Sequence, residues 1–102
     1  MSAVAVIAKI PCQPGTRDAV AAEMQAMLDH VESEPGTLHY VLHHDLGDAD
    51  VLWVYEVYAD QAALDAHGGS EAMAALIGAI GGSLGGAPEL TLAEPVGGKG
   101  AP

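Results

Sequence analysis

Proton transfer needs a carboxylate or an imidazole held partly out of water, and this chain concentrates such groups between Val51 and His67. Val51-Leu52-Trp53-Val54-Tyr55-Glu56-Val57-Tyr58 reads as a strand with one charge in its middle. Side chains alternate along a strand, so Leu52, Val54, Glu56 and Tyr58 share one face while Val51, Trp53, Tyr55 and Val57 share the other. Glu56 therefore stands on a mostly apolar face, where a carboxylate must either find a partner or keep its proton. Either outcome equips it for acid–base work. The strand runs directly into Asp60-Gln61-Ala62-Ala63-Leu64-Asp65-Ala66-His67, which begins like a capped helix and ends in an imidazole.

Three more histidines, His39, His43 and His44, lie close together upstream. Their spacing does not suit a metal: His39 and His43 are about 13 Å apart on a strand, and adjacent His43 and His44 point to opposite faces. A pocket-lining role is the alternative for His39 and His43. Cys12, the only cysteine, follows Pro11 with no base beside it. That leaves no activated nucleophile, no internal disulfide and no multi-cysteine metal site. Gly81-Gly82-Ser83-Leu84-Gly85-Gly86 lacks the Lys and Ser/Thr of a phosphate loop and opens no helix, so it reads as a flexible connector or lid. No metal or cofactor is expected.

Periodicity supplies the elements that must position these groups. Val4 to Ile10 is rich in β-branched residues and closed by Pro11, which gives a first strand. Beyond the Pro14-Gly15 turn, Thr16 stands at the N-cap of a helix whose apolar residues Val20, Met24, Met27, Leu28 and Val31 recur at helical spacing. Pro35-Gly36 ends it. Thr37 to Leu46 is a second strand, joined to Val51–Tyr58 through the hairpin Gly47-Asp48-Ala49-Asp50. If Leu46 faces Val51, then Leu38, Tyr40, Leu42 and His44 share a face with Trp53, Tyr55 and Val57. His39, Val41 and His43 then join Leu52, Val54, Glu56 and Tyr58, and a one-residue slip reverses the assignment. Asp60 caps a short helix ending near Gly68-Gly69, and Ser70 caps a second with the stripe Met73, Leu76, Ile77 and Ile80. Glu89 to Glu94, in which Leu90 and Leu92 alternate with Thr91 and Ala93, makes a fourth strand.

Residues 1–95 then form one α+β domain of β-α-β-β-α-β order, the ferredoxin-like arrangement of an antiparallel sheet with helices on one face. Residues 96–102 read as a flexible tail. The uncovered sheet face, with Tyr40, Leu42, Trp53, Tyr55 and Val57, is too apolar to remain in water and calls for a homodimer packed sheet to sheet. Of 102 residues 50% are hydrophobic and 17% charged, a globular composition sufficient for one core. A net charge of -11 argues against nucleic acid and anionic membrane as partners and leaves small neutral molecules. The apolar runs Ala3 to Ala8 and Ala72 to Ile80 are too short for a signal peptide or a membrane span, which fits the cytoplasm.

Four motifs stand in order along this frame: Pro14-Gly15-Thr16-Arg17-Asp18, Glu34-Pro35-Gly36-Thr37, Tyr55-Glu56-Val57-Tyr58 and Leu64-Asp65-Ala66-His67. Together, over roughly Val4 to Glu94, they resemble the antibiotic biosynthesis monooxygenase domain of the dimeric α+β barrel superfamily. The resemblance implies a pocket between helices and sheet in each subunit. It also implies oxidation of a quinol or polyphenolic, polyketide-like aromatic by O₂ without metal, flavin or haem. His67 matches the family's helix histidine, as base or substrate anchor. Glu56 matches its strand acid, orienting that imidazole or making a structural hydrogen bond. Tyr58, His39 and His43 would surround the substrate. Tyr58 stands where many relatives carry tryptophan, which weakens a haem-degrading reading. A non-catalytic small-molecule-binding protein and a muconolactone-type isomerase are the other activities compatible with the fold.

Overall fold

Caps and apolar spacing place each element close to where the sequence puts it. The computed structural model describes residues 2–102. They form β1 (Val4–Pro11), α1 (Arg17–Val31), β2 (Thr37–His44), β3 (Val51–Tyr58), α2 (Gln61–Gly68), α3 (Glu71–Ile80), a 3₁₀ turn (Gly81–Ser83) and β4 (Glu89–Ala93). Asp60 and Ser70 cap α2 and α3 by accepting the amides of Ala63 and Met73 at 2.8 and 3.1 Å. Thr16 differs. Its hydroxyl donates instead to the Gln13 and Ser83 carbonyls.

The strands form one antiparallel sheet in the order β2-β3-β1-β4, so this is the ferredoxin-like α+β fold, with the second helical stretch divided into α2 and α3. Within one chain the sheet is open. α1 and α3 cover its inner face with a core of Val20, Met24, Met27, Val31, Leu76 and Ile80 set against Ala8, Ile10, Leu52 and Val54. Burying each of the larger side chains contributes roughly 1.5–3 kcal/mol.

The register of β2 against β3 corrects the expected assignment of faces. Tyr40 pairs with Glu56, Leu42 with Val54 and His44 with Leu52, while His39 pairs with Val57, Val41 with Tyr55 and His43 with Trp53. Tyr40 and Leu42 thus look inward with Glu56, and His39 and His43 look outward with Trp53. The cause lies in the connecting loop. Asp45, not Leu46, stands opposite Val51, its amide donating to the Val51 carbonyl at 3.1 Å. The Asp45 carboxylate accepts the amides of Gly47 and Asp48 and the indole N–H of Trp53. The Arg17 guanidinium donates to the carbonyls of Asp45 and Asp48. These bonds end β2 at His44 and shift the pairing by one residue, which exchanges the two faces.

Glycines tighten two junctions. The connector after α3 is tied to the end of β1 and not free: the Gly85 amide donates to the Pro11 carbonyl at 2.9 Å, and Leu84 bridges Cys12. Gly36, at the entry to β2, lies under α2, where a β-carbon would stand 2.5 Å from that of Ala63. The C-terminal segment crosses the outer face, where residues 93–95 and 97–101 border Ala5, Ile7, His39, Val41 and Tyr55.

Gly36→Ala should therefore lower stability by roughly 1–3 kcal/mol, because the alanine β-carbon of α2 cannot move aside without shifting its helix. Gly78→Ala, in α3 with open space around its α-carbon, should raise stability by roughly 0.5–1 kcal/mol. Thermal melts of both variants check the pair; equal melting temperatures would contradict the close approach of α2 to β2.

Candidate active site

His67 arrives at the sheet because Asp60 sets the start of α2 and the last turn of that helix faces inward. The imidazole is 2% exposed. It lies beside the rings of Tyr40 and Tyr58, with centroids 5.2 and 5.3 Å away. Its Nδ1 is 2.8 Å from Oε1 of Glu34, which precedes β2. A carboxylate can only accept, so Nδ1 carries a proton and donates it to Glu34, an assignment drawn from the hydrogen-bond network. Glu34 also accepts from Thr37 Oγ1 at 2.8 Å, and its Oε2 lies 3.2 Å from Nε2 of His30. Burial alone would raise the Glu34 carboxyl, but the hydrogen bonds from His67 and Thr37 and the charges of both histidines outweigh it and hold the group below the usual range.

Glu56, the acid expected to partner His67, is engaged elsewhere. It is buried, and its Oε1 accepts the hydroxyl of Tyr58 two residues along the same face. Burial pushes the Glu56 carboxyl up, against the opposing influence of the Tyr58 hydrogen bond and of His67. Burial likewise raises both phenols, Tyr58 helped by its bond to Glu56 and Tyr40 by the charge of Glu56. The two carboxyls are therefore driven in opposite directions, the arrangement that separates acid and base roles.

A cavity of about 430 Å³ lies between α2, α3 and the inner face of β1, β3 and β4. It exists because α3 packs on α1 and leaves Leu90 and Leu92 of β4 without a helix above them. Its walls are almost wholly apolar, with Val6, Ala8, Met73, Leu76, Ile77 and Leu92 among them, and its polar groups are His67, Glu56 and Tyr40. Nε2 of His67 is buried without a hydrogen-bond partner among protein atoms. Leaving such a group unpaired costs roughly 1–3 kcal/mol, so it marks a place for a ligand's hydrogen bond.

Of the residues singled out from sequence, His67 and Glu56 line the cavity, and Tyr58 stands behind them holding Glu56. His39 and His43 do not join them, since the observed register turns both to the opposite face of the sheet. Sequence reasoning missed Glu34 as the partner of His67 and Tyr40 as a cavity residue. Glu34 lay inside a recognised motif, but its contact with His67 spans 33 residues and has no local signature. Cys12 is buried, and desolvation raises its thiol. Among the described residues no group of three or more His, Cys, Asp or Glu side chains could hold a metal ion, and no helix is long and apolar enough to cross a membrane.

Comparison with known proteins shows the family. Residues 3–79 match the model of the family described as Antibiotic biosynthesis monooxygenase, and the chain belongs to that family. It is 38% identical over 69 residues to "Putative monooxygenase Rv0793" of Mycobacterium tuberculosis, an alignment covering 68% of this chain and 67% of the relative. The solved structure of Rv0793 superposes with a TM-score of 0.87 at 30% identity, covering 95% of this chain and 98% of that one. A crystal structure named "putative antibiotic biosynthesis monooxygenase" from Caulobacter crescentus CB15 gives a TM-score of 0.89 at 29% identity, covering 94% and 92%.

The two carboxyls should leave opposite marks on stability. Glu56 is raised in the fold, so its ionisation destabilises the folded state increasingly as pH climbs above the ordinary carboxyl value near 4.3. Glu56→Gln should melt at or above the wild type at pH 8, with the difference shrinking toward pH 4. Glu34 is lowered, so its contribution is present above that value and lost as pH falls through its own, lower pKa. Glu34→Gln should melt below the wild type at pH 7 and approach it in acid. Melting curves from pH 3 to 8 decide, and parallel profiles for all three proteins would contradict the assignment.

Proposed function

We propose that this chain is a cofactor-independent monooxygenase that oxidises a quinol or polyphenolic, polyketide-like aromatic with O₂. The observation that carries this reading is the unpartnered Nε2 of a carboxylate-braced histidine in an apolar cavity of about 430 Å³. An apolar cavity of that size suits a flat neutral aromatic. Nε2 of His67 takes the proton of a ring hydroxyl, and the imidazolium that forms is stabilised by Glu34. The resulting phenolate is electron-rich enough to reduce O₂ itself. In the net reaction one oxygen atom becomes a new quinone carbonyl, and the other leaves as water with the phenolic proton and the ring hydrogen. Glu56, more readily protonated than an ordinary carboxyl, and Tyr40 supply hydrogen bonds to the ring oxygens.

The working unit is proposed to be a homodimer joined through the outer sheet face. The register gives that face a composition different from the expected one: Ile7, Val41 and Tyr55 are 40, 46 and 42% exposed there, while Tyr40 and Leu42 lie inside. The C-terminal segment crosses the same face and becomes part of the interface.

Oxygen uptake with anthrone- or naphthol-type substrates should proceed without added metal, flavin or haem. His67→Ala should lower kcat by roughly 10² to 10⁴ with the fold intact. Unchanged uptake by folded His67→Ala removes the base assignment. No uptake by the wild type across such a panel, with binding retained in calorimetry, leaves a small-molecule-binding protein instead.

Light scattering should report twice the 10.3 kDa chain mass at micromolar concentration, from an interface burying at least roughly 1,200 Å². Tyr55→Asp should halve that mass by placing an unpaired charge in the interface. A monomeric wild type would dispose of the dimer.

A further inference from the structure

The register sets four inner-face residues in one row across the whole sheet: Tyr40 opposite Glu56, Glu56 opposite Val6, and Val6 opposite Leu92. The next row runs Leu42, Val54, Ala8 and Leu90. The cavity's polar groups, Tyr40, Glu56 and His67, therefore stand toward β2 and β3, while Pro88, Leu90 and Leu92 line it toward β4. Met73 and Ile77, four residues apart on one face of α3, complete the apolar lining. The two ends differ in depth as well as in polarity. His67 and Glu56 are buried, whereas Ile77, Leu90 and Leu92 are 62, 62 and 55% exposed. The cavity is thus closed around its hydrogen-bonding groups and opens to solvent over aliphatic side chains. Large aliphatic groups gathered at one opening gain from an apolar cover, and the proposed dimer, which uses the opposite face of the sheet, does not supply it.

We propose that the ligand of this cavity is an amphiphile: a phenol or quinol carrying a linear alkyl chain, with its ring hydroxyl at Nε2 of His67 and its chain laid over Val6 and Ala8 to the rim of Ile77, Leu90 and Leu92. The oxidation of such a molecule rests on the monooxygenase reading; its binding does not. The buried, unpartnered Nε2 fixes one hydrogen-bonding end. Beyond it the lining is apolar all the way to the opening, and a second hydroxyl placed there would lie against leucines. Glu56 and Leu92 are two strand spacings apart, roughly 10 Å. A single ring fills part of that span, and at roughly 1.2 Å per bond of an extended chain about four to six carbons fill the rest. Adjacent strands are rotated by roughly 20–25°, so the floor turns between β3 and β4. A jointed chain follows that turn, and a rigid flat polycycle does not. Met73 adds an adaptable wall.

The test is calorimetric titration of the full chain with para-alkylphenols bearing methyl, butyl, hexyl and octyl chains, each below its aggregation concentration. Affinity should rise about threefold to fourfold per methylene and level off near six carbons, where the chain passes the rim into water. Affinity independent of chain length overturns the proposal, and so does tighter binding of anthrone than of the hexyl phenol. Intermolecular NOEs should join the terminal methyl of the bound hexyl chain to the methyls of Ile77, Leu90 and Leu92; contacts with Ile7 and Val41 on the outer face would overturn it. Leu90→Ser combined with Leu92→Ser should lower the ratio of hexyl to methyl affinity by about tenfold. Ile77→Ser, outside the sheet, should lower the same ratio by about threefold, which keeps the test independent of the folding of β4. An unchanged ratio in both variants overturns the placement of the chain. If no alkylphenol consumes O₂ while the chain-length gain holds, the monooxygenase reading fails and the amphiphile site stands. If short phenols consume O₂ and the chain adds nothing, the reverse is true.

Discussion

The hydrogen bond from His67 to Glu34 is the constraint on which the rest of the cavity depends. It joins the last turn of α2 to the loop entering β2, two segments that are 33 residues apart and meet only because Gly36 lets the helix lie against the strand entry. A charge-assisted bond of this kind contributes roughly 1.5–3 kcal/mol. Its larger consequence is directional. By occupying Nδ1 it turns Nε2 away from Glu34, and the rings of Tyr40 and Tyr58 hold the imidazole in that orientation. α2 is too short to be held by its own propensity, so its docking rests on this contact together with the Asp60 cap and the Gly36 approach.

Two acids near one imidazole have different chemistry because their surroundings differ. Glu34 collects donors on both oxygens and is stabilised as an anion. Glu56 sits on the apolar inner face with a single donor, Tyr58, and is pushed toward the neutral form. A carboxylate-bonded imidazole and a readily protonated carboxyl therefore face one cavity.

Charge acts on the same site from a distance. A chain of net charge -11 disfavours anionic ligands relative to neutral ones. The outer face has a separate role. Its exposed Ile7, Val41 and Tyr55 lie across the sheet from the cavity, so their contacts and the cavity chemistry can be altered independently.

Local patterns made most of the fold legible. β-branched runs bounded by Pro and Gly, the 3.6-residue spacing of Val20, Met24, Met27 and Val31, and the Asp60 and Ser70 caps are short-range signals that act within a few residues. They also placed Glu56 on an apolar face and His67 in the capped helix that follows. What they could not decide was which strand faces meet and which acid meets the histidine. The first depended on side-chain bonds in one loop, where Asp45 captured Gly47, Asp48 and Trp53 and moved the β2–β3 pairing by one residue. That sent His39 and His43 outward and brought Tyr40 in. The second depended on a contact between residues 33 positions apart, closed by a glycine. Periodicity carries information about one element at a time. The sequence alone therefore determined the elements, their order and the two cavity residues Glu56 and His67, whereas the pairing of faces and the Glu34–His67 contact arose only when those elements packed, because both are properties of relative position.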